Sequence, residues 1–361
     1  MEEYKMVVVG VGLVGRKMVK CLRKSSTFKN SQIKILATRA REEIIAKEKF
    51  EVRKTEPEEF NNQDLAFFAG TEGEKGAAVT YAEEAIKRGV TVIDNGADFR
   101  MDPNVPLVIP EINPQALDRH QGLIANPNCS TTIMLMALWP IYQISPIKRI
   151  VISTYQAVSG TGLGGVEKLL NQVYDLTDVK DKGELFEAIL SNQVDLPPPQ
   201  TYPHSISFNL FPEIGRFEEL GFSTEEWKTV KETHKILGDN SIAITATTVR
   251  VPIFNVHSEA IYIETEKKLT VSEVRNILSR APGVKVIEPY PTPQMADGKD
   301  EVFVGRIRED PFIEKGLSFW VVGDNILKGA ALNAVQIGEE LIKRDLLKRT
   351  GTTPEERFRI N

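Results

Sequence analysis

The chain has 361 residues, of which 41% are hydrophobic and 26% are charged, and its formal net charge is −5. This length and composition predict two folded domains, and the negative charge, with no basic stripe interleaved with aromatic residues, argues against a nucleic-acid partner. Since no apolar run approaches the roughly 20 residues of a membrane span and the chain begins with acidic residues, we expect a cytoplasmic protein with no membrane partner.

The cysteines and histidines exclude two further classes of protein. The chain has two cysteines, Cys21 and Cys129, so it cannot build a disulfide framework or a cysteine-rich zinc site. Its four histidines lack the spacing of paired metal ligands. We therefore predict no structural or catalytic metal.

Strands and helices alternate in the first third of the chain. Apolar runs at 5–9, 33–37, 65–69 and 90–94 are typical of buried strands, and amphipathic stretches at 16–23 and 81–88 are typical of helices. The pattern predicts an α/β fold with an N-terminal, Rossmann-type, doubly wound parallel sheet.

After residue 150, β-rich runs at 149–156, 242–252 and 257–264 are separated by helical segments. They predict a second, α+β domain with a mixed sheet. A long helical stretch at 324–344 has an apolar face that could pack back on the first domain.

A glycine-rich turn joins the first strand to the first helix, with the sequence Gly10-Val11-Gly12-Leu13-Val14-Gly15. Small residues let the backbone approach a pyrophosphate there, and the N–H groups of the helix start face it. The turn predicts dinucleotide binding by Gly10, Gly12, Leu13, Val14 and Gly15.

The end of the second strand indicates which dinucleotide is bound. Thr38, Arg39 and Arg41 stand where a carboxylate would bind the ribose 2′-hydroxyl. No acidic residue lies between the end of the strand and Glu42. A hydroxyl and two guanidinium groups suit a 2′-phosphate, so NADP is favoured over NAD. The alternative is that both arginines are solvated loop charges.

Cys129 lies at a predicted turn from a strand into a helix. There the helix dipole and free N–H groups are expected to lower the thiol pKa and to hold an oxyanion. Cys21 lies on the apolar side of the first helix, where a buried structural cysteine is expected.

Several motifs in the same order carry a resemblance that covers nearly the whole chain. They are Asp94-Asn95, Phe99-Arg100, Asn128-Cys129-Ser130-Thr131, the segment 153–162 around Gln156, Arg250-Val251-Pro252, His257-Ser258-Glu259 and 324–331. Together they resemble the aspartate-semialdehyde dehydrogenase family.

The resemblance implies a reaction and three catalytic residues. Cys129 would attack L-4-aspartyl phosphate, phosphate would leave, and NADPH would reduce the thioester to L-aspartate 4-semialdehyde, a step toward lysine, threonine, methionine and diaminopimelate. His257 would be the general acid/base. Gln156 would orient the intermediate through its neutral amide.

The resemblance also implies binding residues. Arg250 would grip the substrate α-carboxylate, Glu225 would meet its amino group, and Arg100, Asn128 and Lys228 would bind phosphate. For Glu225 and Lys228 the alternative is a capped surface helix with an i,i+3 ion pair.

At the nicotinamide end, the resemblance assigns Ser159, Gly160 and Gly162 to a glycine turn and Asn325 to a cofactor contact. The domains would then be an NADP-binding domain at 1–128, completed by a C-terminal helix at about 325–361, and a catalytic and dimerisation domain at 129–324. A homodimer or homotetramer is expected.

Two alternatives stay open. One is a related thioester-forming reductase acting on N-acetyl-glutamyl phosphate or malonyl-CoA, which would have no use for the Glu225 carboxylate. The other is a catalytically silent NADP-binding paralogue, which would be expected to lack Cys129 or His257, yet both are present.

Overall fold

The computed structural model describes residues 3–70, 76–177, 181–191 and 202–347. Its strands form two sheets, of seven and six strands. The first sheet contains β1 (Lys5–Val9), β2 (Gln32–Ala37), β3 (Arg41–Ile45), β4 (Glu48–Lys54), β5 (Leu65–Phe68), β6 (Thr91–Asp94) and β7 (Leu123–Ala125). The second contains β8 (Ile147–Gln156), β9 (Ala243–Arg250), β10 (His257–Thr265), β11 (Val284–Val286), β12 (Val302–Glu309) and β13 (Gly316–Gly323).

Nine α-helices connect or cover these sheets in the described part of the chain. They are α1 (Leu13–Lys24), α2 (Ala77–Lys87), α3 (Cys129–Tyr142), α4 (Leu163–Thr177), α5 (Lys182–Leu190), α6 (Thr224–Leu237), α7 (Val271–Ser279), α8 (Pro293–Ala296) and α9 (Leu332–Lys343). None of the described helices is long and apolar enough to cross a membrane.

The first sheet is parallel except at one edge, in the order β3-β4-β2-β1-β5-β6-β7. Its central strand β1 is buried on both faces: Met6 and Val8 pack with residues of α1 and α9, and Val7 and Val9 pack with residues of α2. Two buried faces explain the unbroken apolar run in the sequence. The predicted doubly wound parallel sheet is confirmed.

The antiparallel hairpin β3–β4 was not predicted, because its strands are short, charged and half-exposed at the sheet edge. Charged edge strands of this kind lack the apolar pattern by which buried strands are recognised.

The second sheet has the order β11-β12-β13-β10-β8-β9 and contains both parallel and antiparallel pairs, as predicted. On one face, alternate residues such as Ile152, Ile261 and Val321 form a core with Ile133 and Met136 of α3. This face positions the site, because His257, at the start of β10 on the same face as Ile261, contacts Cys129 at the start of α3.

The helix predicted at 324–344 is divided in two. A π-helical turn at Leu327–Ala331 precedes α9, and Val335 and Ile337 of α9 pack in the same core as β1 and α1. The chain therefore returns to the first sheet as expected. Residues 348–361 of the proposed C-terminal extension lie outside the described residues, and the proposed domain boundaries remain predictions.

The glycine turn provides a test of packing. A Cβ on Gly15 would lie 1.9 Å from the carbonyl oxygen of Gly10, whereas a Cβ on Gly12 would meet nothing within 4 Å. We expect Gly15→Ala to lower the free energy of unfolding by at least about 1–3 kcal/mol, because the turn must open to admit the methyl group.

Gly12→Ala is the matched control, with an expected change within about 0.5 kcal/mol, because the added methyl group has open space. Urea unfolding of both variants without cofactor measures the difference. Equal losses would contradict this packing.

Candidate active site

A cleft of about 1260 Å³ runs from the glycine turn to helix α6. Most predicted site residues line it: Gly10, Gly12, Leu13, Val14, Thr38, Arg100, Asn128, Cys129, Gln156, Ser159, Gly160, Gly162, Glu225, Lys228, Arg250 and Asn325. Gly15, Arg39 and His257 are outside that lining, although Gly15 packs beneath the turn and His257 contacts Cys129.

Cys129 is the first residue of α3. The side chain of Asn128 caps this helix, since its Oδ1 accepts from the N–H groups of Ser130 and Thr131 at 3.0 and 3.2 Å. On the other side, a Cβ on Gly329 would lie 2.8 Å from Cys129 Cβ. The cap and the close approach of Gly329 fix the position of the thiol.

The sulfur of Cys129 faces the imidazole of His257, with 3.3 Å between Sγ and Nε2. The other ring nitrogen, Nδ1, accepts from the backbone N–H of Ala157 at 3.1 Å. A neutral ring whose Nδ1 is an acceptor carries its proton on Nε2. We therefore assign to His257 the tautomer that directs an N–H toward the sulfur.

Burial shifts the pKa of both groups in the directions that disfavour a thiolate–imidazolium ion pair. Burial, reinforced by the charge of Arg250, lowers the pKa of His257 to about 3, so the ring is neutral at pH 7. Burial, followed by the charge of Glu225, raises the pKa of Cys129 to about 12. The predicted lowering of the thiol pKa is wrong for this structure, because the nearby cations and the helix start do not offset desolvation and an adjacent carboxylate.

Glu225 is that carboxylate, and α6 directs it into the cleft. One oxygen accepts from Asn128 Nδ2 at 2.8 Å and from Gln156 Nε2 at 3.2 Å, and the other lies 3.4 Å from Lys228 Nζ. Burial alone would raise the pKa of Glu225, but Lys228 and these hydrogen bonds lower it to about 2. The predicted i,i+3 ion pair is present, yet its acid is a buried anion in the cleft.

Two arginines bring fixed positive charge to the same region. Arg250 donates to the carbonyl of Ala157 at 2.6 Å, and Arg100 donates to Asn95 O at 2.8 Å. Arg100 also forms a buried ion pair with Glu232, at 3.0 Å. Both guanidinium groups are therefore held by the protein at the cleft.

Sequence reasoning missed Glu232. Its second oxygen accepts from the backbone N–H of Asn128 at 2.7 Å, so it links Arg100 to the residue before the nucleophile. The signal was present: Glu225, Lys228 and Glu232 are spaced i, i+3 and i+7, which places them on one face of a helix.

At the cofactor end, the structure separates the two predicted arginines. Thr38 and Arg41 line the cleft, together with Lys54 and Thr55 of the unpredicted hairpin, whereas Arg39 does not. Arg41 donates to Glu43 at 2.7 Å. The hairpin thus supplies Lys54, a positively charged group that the sequence pattern did not predict for this site.

Residues 5–120 match a family model described as "Semialdehyde dehydrogenase, NAD binding domain", and residues 138–328 match "Semialdehyde dehydrogenase, dimerisation domain". The aspartate-semialdehyde dehydrogenase of Aquifex aeolicus is 44% identical, with 95% of this chain and 99% of the relative covered. The chain belongs to the aspartate-semialdehyde dehydrogenase family.

Other members agree with this assignment. The aspartate-semialdehyde dehydrogenase of Bacillus subtilis is 40% identical, over 94% of this chain and 98% of the relative. A Vibrio cholerae crystal structure, described as aspartate semialdehyde dehydrogenase II complexed with ASA, aligns with a TM-score of 0.85 at 36% identity, over 95% of this chain and 99% of that chain. Membership in the family makes the chain an oxidoreductase with a nicotinamide cofactor, and the two open alternatives are not favoured.

The described residues contain no group of three or more His, Cys, Asp or Glu side chains that could hold a metal ion. The acidic groups near the nucleophile are instead engaged by Lys228 and Arg100.

Glu259, two residues beyond His257, provides a test of burial. It is fully buried, and neither carboxylate oxygen has a hydrogen-bond partner among the described residues. Burial raises the pKa of Glu259 well above its ordinary value, so the folded protein keeps the protonated form to a higher pH than the unfolded chain does. Its stabilising contribution is complete below the unfolded pKa of roughly 4.3 and is lost as pH rises toward the folded pKa.

We expect Glu259→Gln, which stays neutral, to gain stability relative to the natural protein by up to about 1.4 kcal/mol per pH unit between about pH 5 and pH 8. Urea unfolding across that range measures it. Glu314→Gln, at an exposed position, should show no such slope. A stability difference that does not vary with pH would contradict a protonated Glu259.

Proposed function

We propose that this chain is an aspartate-semialdehyde dehydrogenase that converts L-4-aspartyl phosphate to L-aspartate 4-semialdehyde and phosphate, through a thioester on Cys129. The observation that carries this proposal is the 3.3 Å contact between Cys129 Sγ and His257 Nε2, in a site that shares one cleft with the glycine turn. The Vibrio cholerae relative crystallised with ASA supports the substrate.

The glycine turn suits the cofactor. Gly12 leaves open space at the start of α1, and the first turn of this helix contains no acidic residue that would repel a pyrophosphate. Gly10, with a φ of 103°, needs the conformational freedom of glycine, because a Cβ there would lie 2.8 Å from the carbonyl oxygen of Ala69. When bound, the reduced nicotinamide supplies the hydride that reduces the thioester.

The chain's own residues carry the acyl transfer. Cys129 Sγ attacks the acyl carbon, the bond to phosphate breaks, and the thiol proton leaves with the phosphate product. His257 donates its Nε2 proton as a hydrogen bond to the sulfur and to the oxygen that gains negative charge. During reduction, the same N–H stabilises the negative charge on the carbonyl oxygen by a hydrogen bond. When the C=O bond forms again the C–S bond breaks, and the sulfur of Cys129 leaves as thiolate and takes up one proton from solvent, which replaces the proton lost with phosphate.

Substrate recognition rests on the charges around the nucleophile. Arg250 is proposed to bind the α-carboxylate and the Glu225 anion to bind the amino group, both of which are on the α-carbon of the substrate. Arg100, Lys228 and Asn128 would bind the phosphate. An N-acetylated substrate or an acyl-CoA lacks the free amine that suits a carboxylate held at a pKa of about 2.

For the cofactor we propose NADP. Thr38 and Arg41 line the cleft at the end of β2, and Lys54 of β4 adds a second positive charge. These groups suit a 2′-phosphate. Arg39, which lies outside the lining, would contribute through its charge.

The proposed assembly is a homodimer or homotetramer in the cytoplasm. Large apolar side chains on α4 and α5 are exposed in the single chain, including Leu170, Tyr174, Phe186 and Ile189. A second copy would remove this surface from water. The match of residues 138–328 to a dimerisation domain supports the same arrangement.

The direct test of the substrate is steady-state oxidation of L-aspartate 4-semialdehyde with NADP and phosphate, compared with N-acetyl-glutamate semialdehyde. Because Glu225 recognises a free amine, we expect kcat/KM to be at least about 100-fold higher for the first substrate, the scale expected for burying unpaired polar groups. Omitting phosphate should suppress the reaction. Equal rates, or a preference for the acetylated aldehyde, would contradict the proposal.

The cofactor proposal predicts different effects for the two arginines. Arg41→Ala should raise the KM for NADP by about tenfold, the scale of one charge-assisted hydrogen bond, and should leave the KM for NAD nearly unchanged. Arg39→Ala should have a smaller effect because it does not border the cleft. Steady-state kinetics with both cofactors provide the measurement, and a natural enzyme that prefers NAD would refute the NADP proposal.

A further inference from the structure

The residue before the catalytic histidine has an unusual backbone. Val256 is fully buried and has a φ of 77°, the left-handed region that L-residues rarely adopt. Among the residues that the structure describes, it is the one β-branched residue with a positive φ. A conformation of this kind persists only where surrounding contacts impose it, and such positions cluster at functional sites.

Asn325 supplies the contact that imposes it. The Val256 N–H donates to Asn325 Oδ1 at 2.9 Å, and Asn325 Nδ2 donates to the hydroxyl of Ser159 at 3.1 Å. Asn325 is itself buried and held in place, because Asp324 before it accepts from the N–H groups of Ile326 and Leu327. The amide oxygen therefore lies on a rigid support and points at the backbone of Val256.

The conformation of Val256 determines the direction in which β10 begins at His257. His257 is the first residue of β10 and pairs with Gly323, the last residue of β13, two positions before Asn325. If Val256 relaxed to an extended conformation, its N–H would turn away from Asn325 and β10 would begin in a different direction. The imidazole would then move relative to Cys129 Sγ.

Neighbouring contacts fix the imidazole from its other side. Ala157 N–H binds the Nδ1 side of the ring at 3.1 Å, and a Cβ on Gly160 would lie 3.4 Å from the ring. The loop before β10 is bonded to the same segment, since Val158 N–H donates to Ile253 O at 2.9 Å. His257 is thus fixed by its own strand, β10, and by the segment that follows β8. Val256 lies between β10 and the loop that is bonded to that segment.

We propose that Asn325 positions His257, by accepting the Val256 N–H and so holding Val256 in its left-handed conformation. Asn325 is a positioning residue in this account, and the aldehyde chemistry in which His257 then acts rests on the function proposed above. The role differs from the cofactor contact implied by the family resemblance, because the amide oxygen is used by the protein backbone.

The two roles predict different results in a double-mutant cycle. Glycine adopts a positive φ at no steric cost. Removing the Asn325 contact should therefore matter less in a Val256→Gly background, whereas a cofactor contact would be lost equally in both backgrounds. The discriminating variants are Asn325→Ala, Val256→Gly and their combination.

The first measurement is alkylation of Cys129 by iodoacetamide at fixed pH, without substrate or cofactor. It reports the Cys129–His257 pair even if the proposed substrate is wrong. We expect Asn325→Ala to change the alkylation rate by at least about tenfold, within the scale of misplacing a reacting group by 1 Å. The same substitution in a Val256→Gly background should change it by less than about threefold, and in a His257→Ala background it should have no effect.

The second measurement is steady-state kinetics with the aldehyde and NADP. Asn325→Ala should lower kcat by about ten- to 100-fold with the KM for NADP changed less than about threefold, and Val256→Gly should restore most of kcat. Additive losses, or a loss confined to the KM for NADP, would overturn the proposal. The matched control is Asn62→Gly, an exposed residue with a φ of 58°, which should change neither rate.

A further variant covers the case in which Asn325→Ala does not fold. Asn325→Asp retains an oxygen acceptor at the Oδ1 position, so adding Val256→Gly to it should change its alkylation rate by less than about threefold, and the effect of the added charge is common to both variants. A larger change, in variants with a normal circular dichroism spectrum, would also overturn the proposal.

Discussion

Burial of helix α3 on every side is the constraint on which the rest of the site depends. Ten of its residues are buried, and it packs against the core face of the second sheet and against the π-helical turn that precedes α9. A helix without a solvent face cannot slide or rotate without breaking packing on several sides. Its first residue, Cys129, is therefore held in the cleft that the glycine turn and α6 also line.

The π-helical turn is anchored with comparable firmness. Lys328 is buried, and its ammonium group donates to Glu111, Asn333 and Gln336 at 2.6, 2.9 and 2.7 Å. The three acceptors satisfy the hydrogen-bonding capacity of the buried ammonium group. They also connect the turn to Glu111 and to α9, which packs against the first sheet. Gly329, next in the chain, can then lie against Cys129, where a side chain would not fit.

The same burial determines the protonation states of Cys129 and His257 in the free enzyme. Desolvation disfavours both thiolate and imidazolium, so the Cys129–His257 pair is neutral, and charge is confined to groups with partners, such as Glu225 with Lys228 and Arg100 with Glu232. A neutral thiol is a poor nucleophile toward stray electrophiles. In the proposed reaction the thiol loses its proton to the departing phosphate, so the acyl transfer needs no thiolate in the free enzyme.

Patterns local in sequence predicted much of this structure. The buried parallel strands, the glycine turn and the helix start at Cys129 were all visible, because each depends on residues close together in the chain. The hairpin β3–β4 and the strands β12 and β13 lacked a clear pattern. The thiol pKa was predicted wrongly because it depends on how α6 carries Glu225 against α3, and the roles of Glu232 and Asn325 depend on contacts across 104 and 69 residues.

The central claim is that Cys129 forms the acyl-enzyme, and acylation without cofactor tests it most directly. L-4-aspartyl phosphate is mixed with the enzyme and quenched rapidly, and released phosphate and peptide masses are measured. The account predicts about one phosphate released per chain in a burst, and an aspartyl adduct on the Cys129 peptide that is absent in Cys129→Ala and retained in Cys21→Ala. An adduct on another residue, or a phosphate burst that survives in Cys129→Ala, would contradict it.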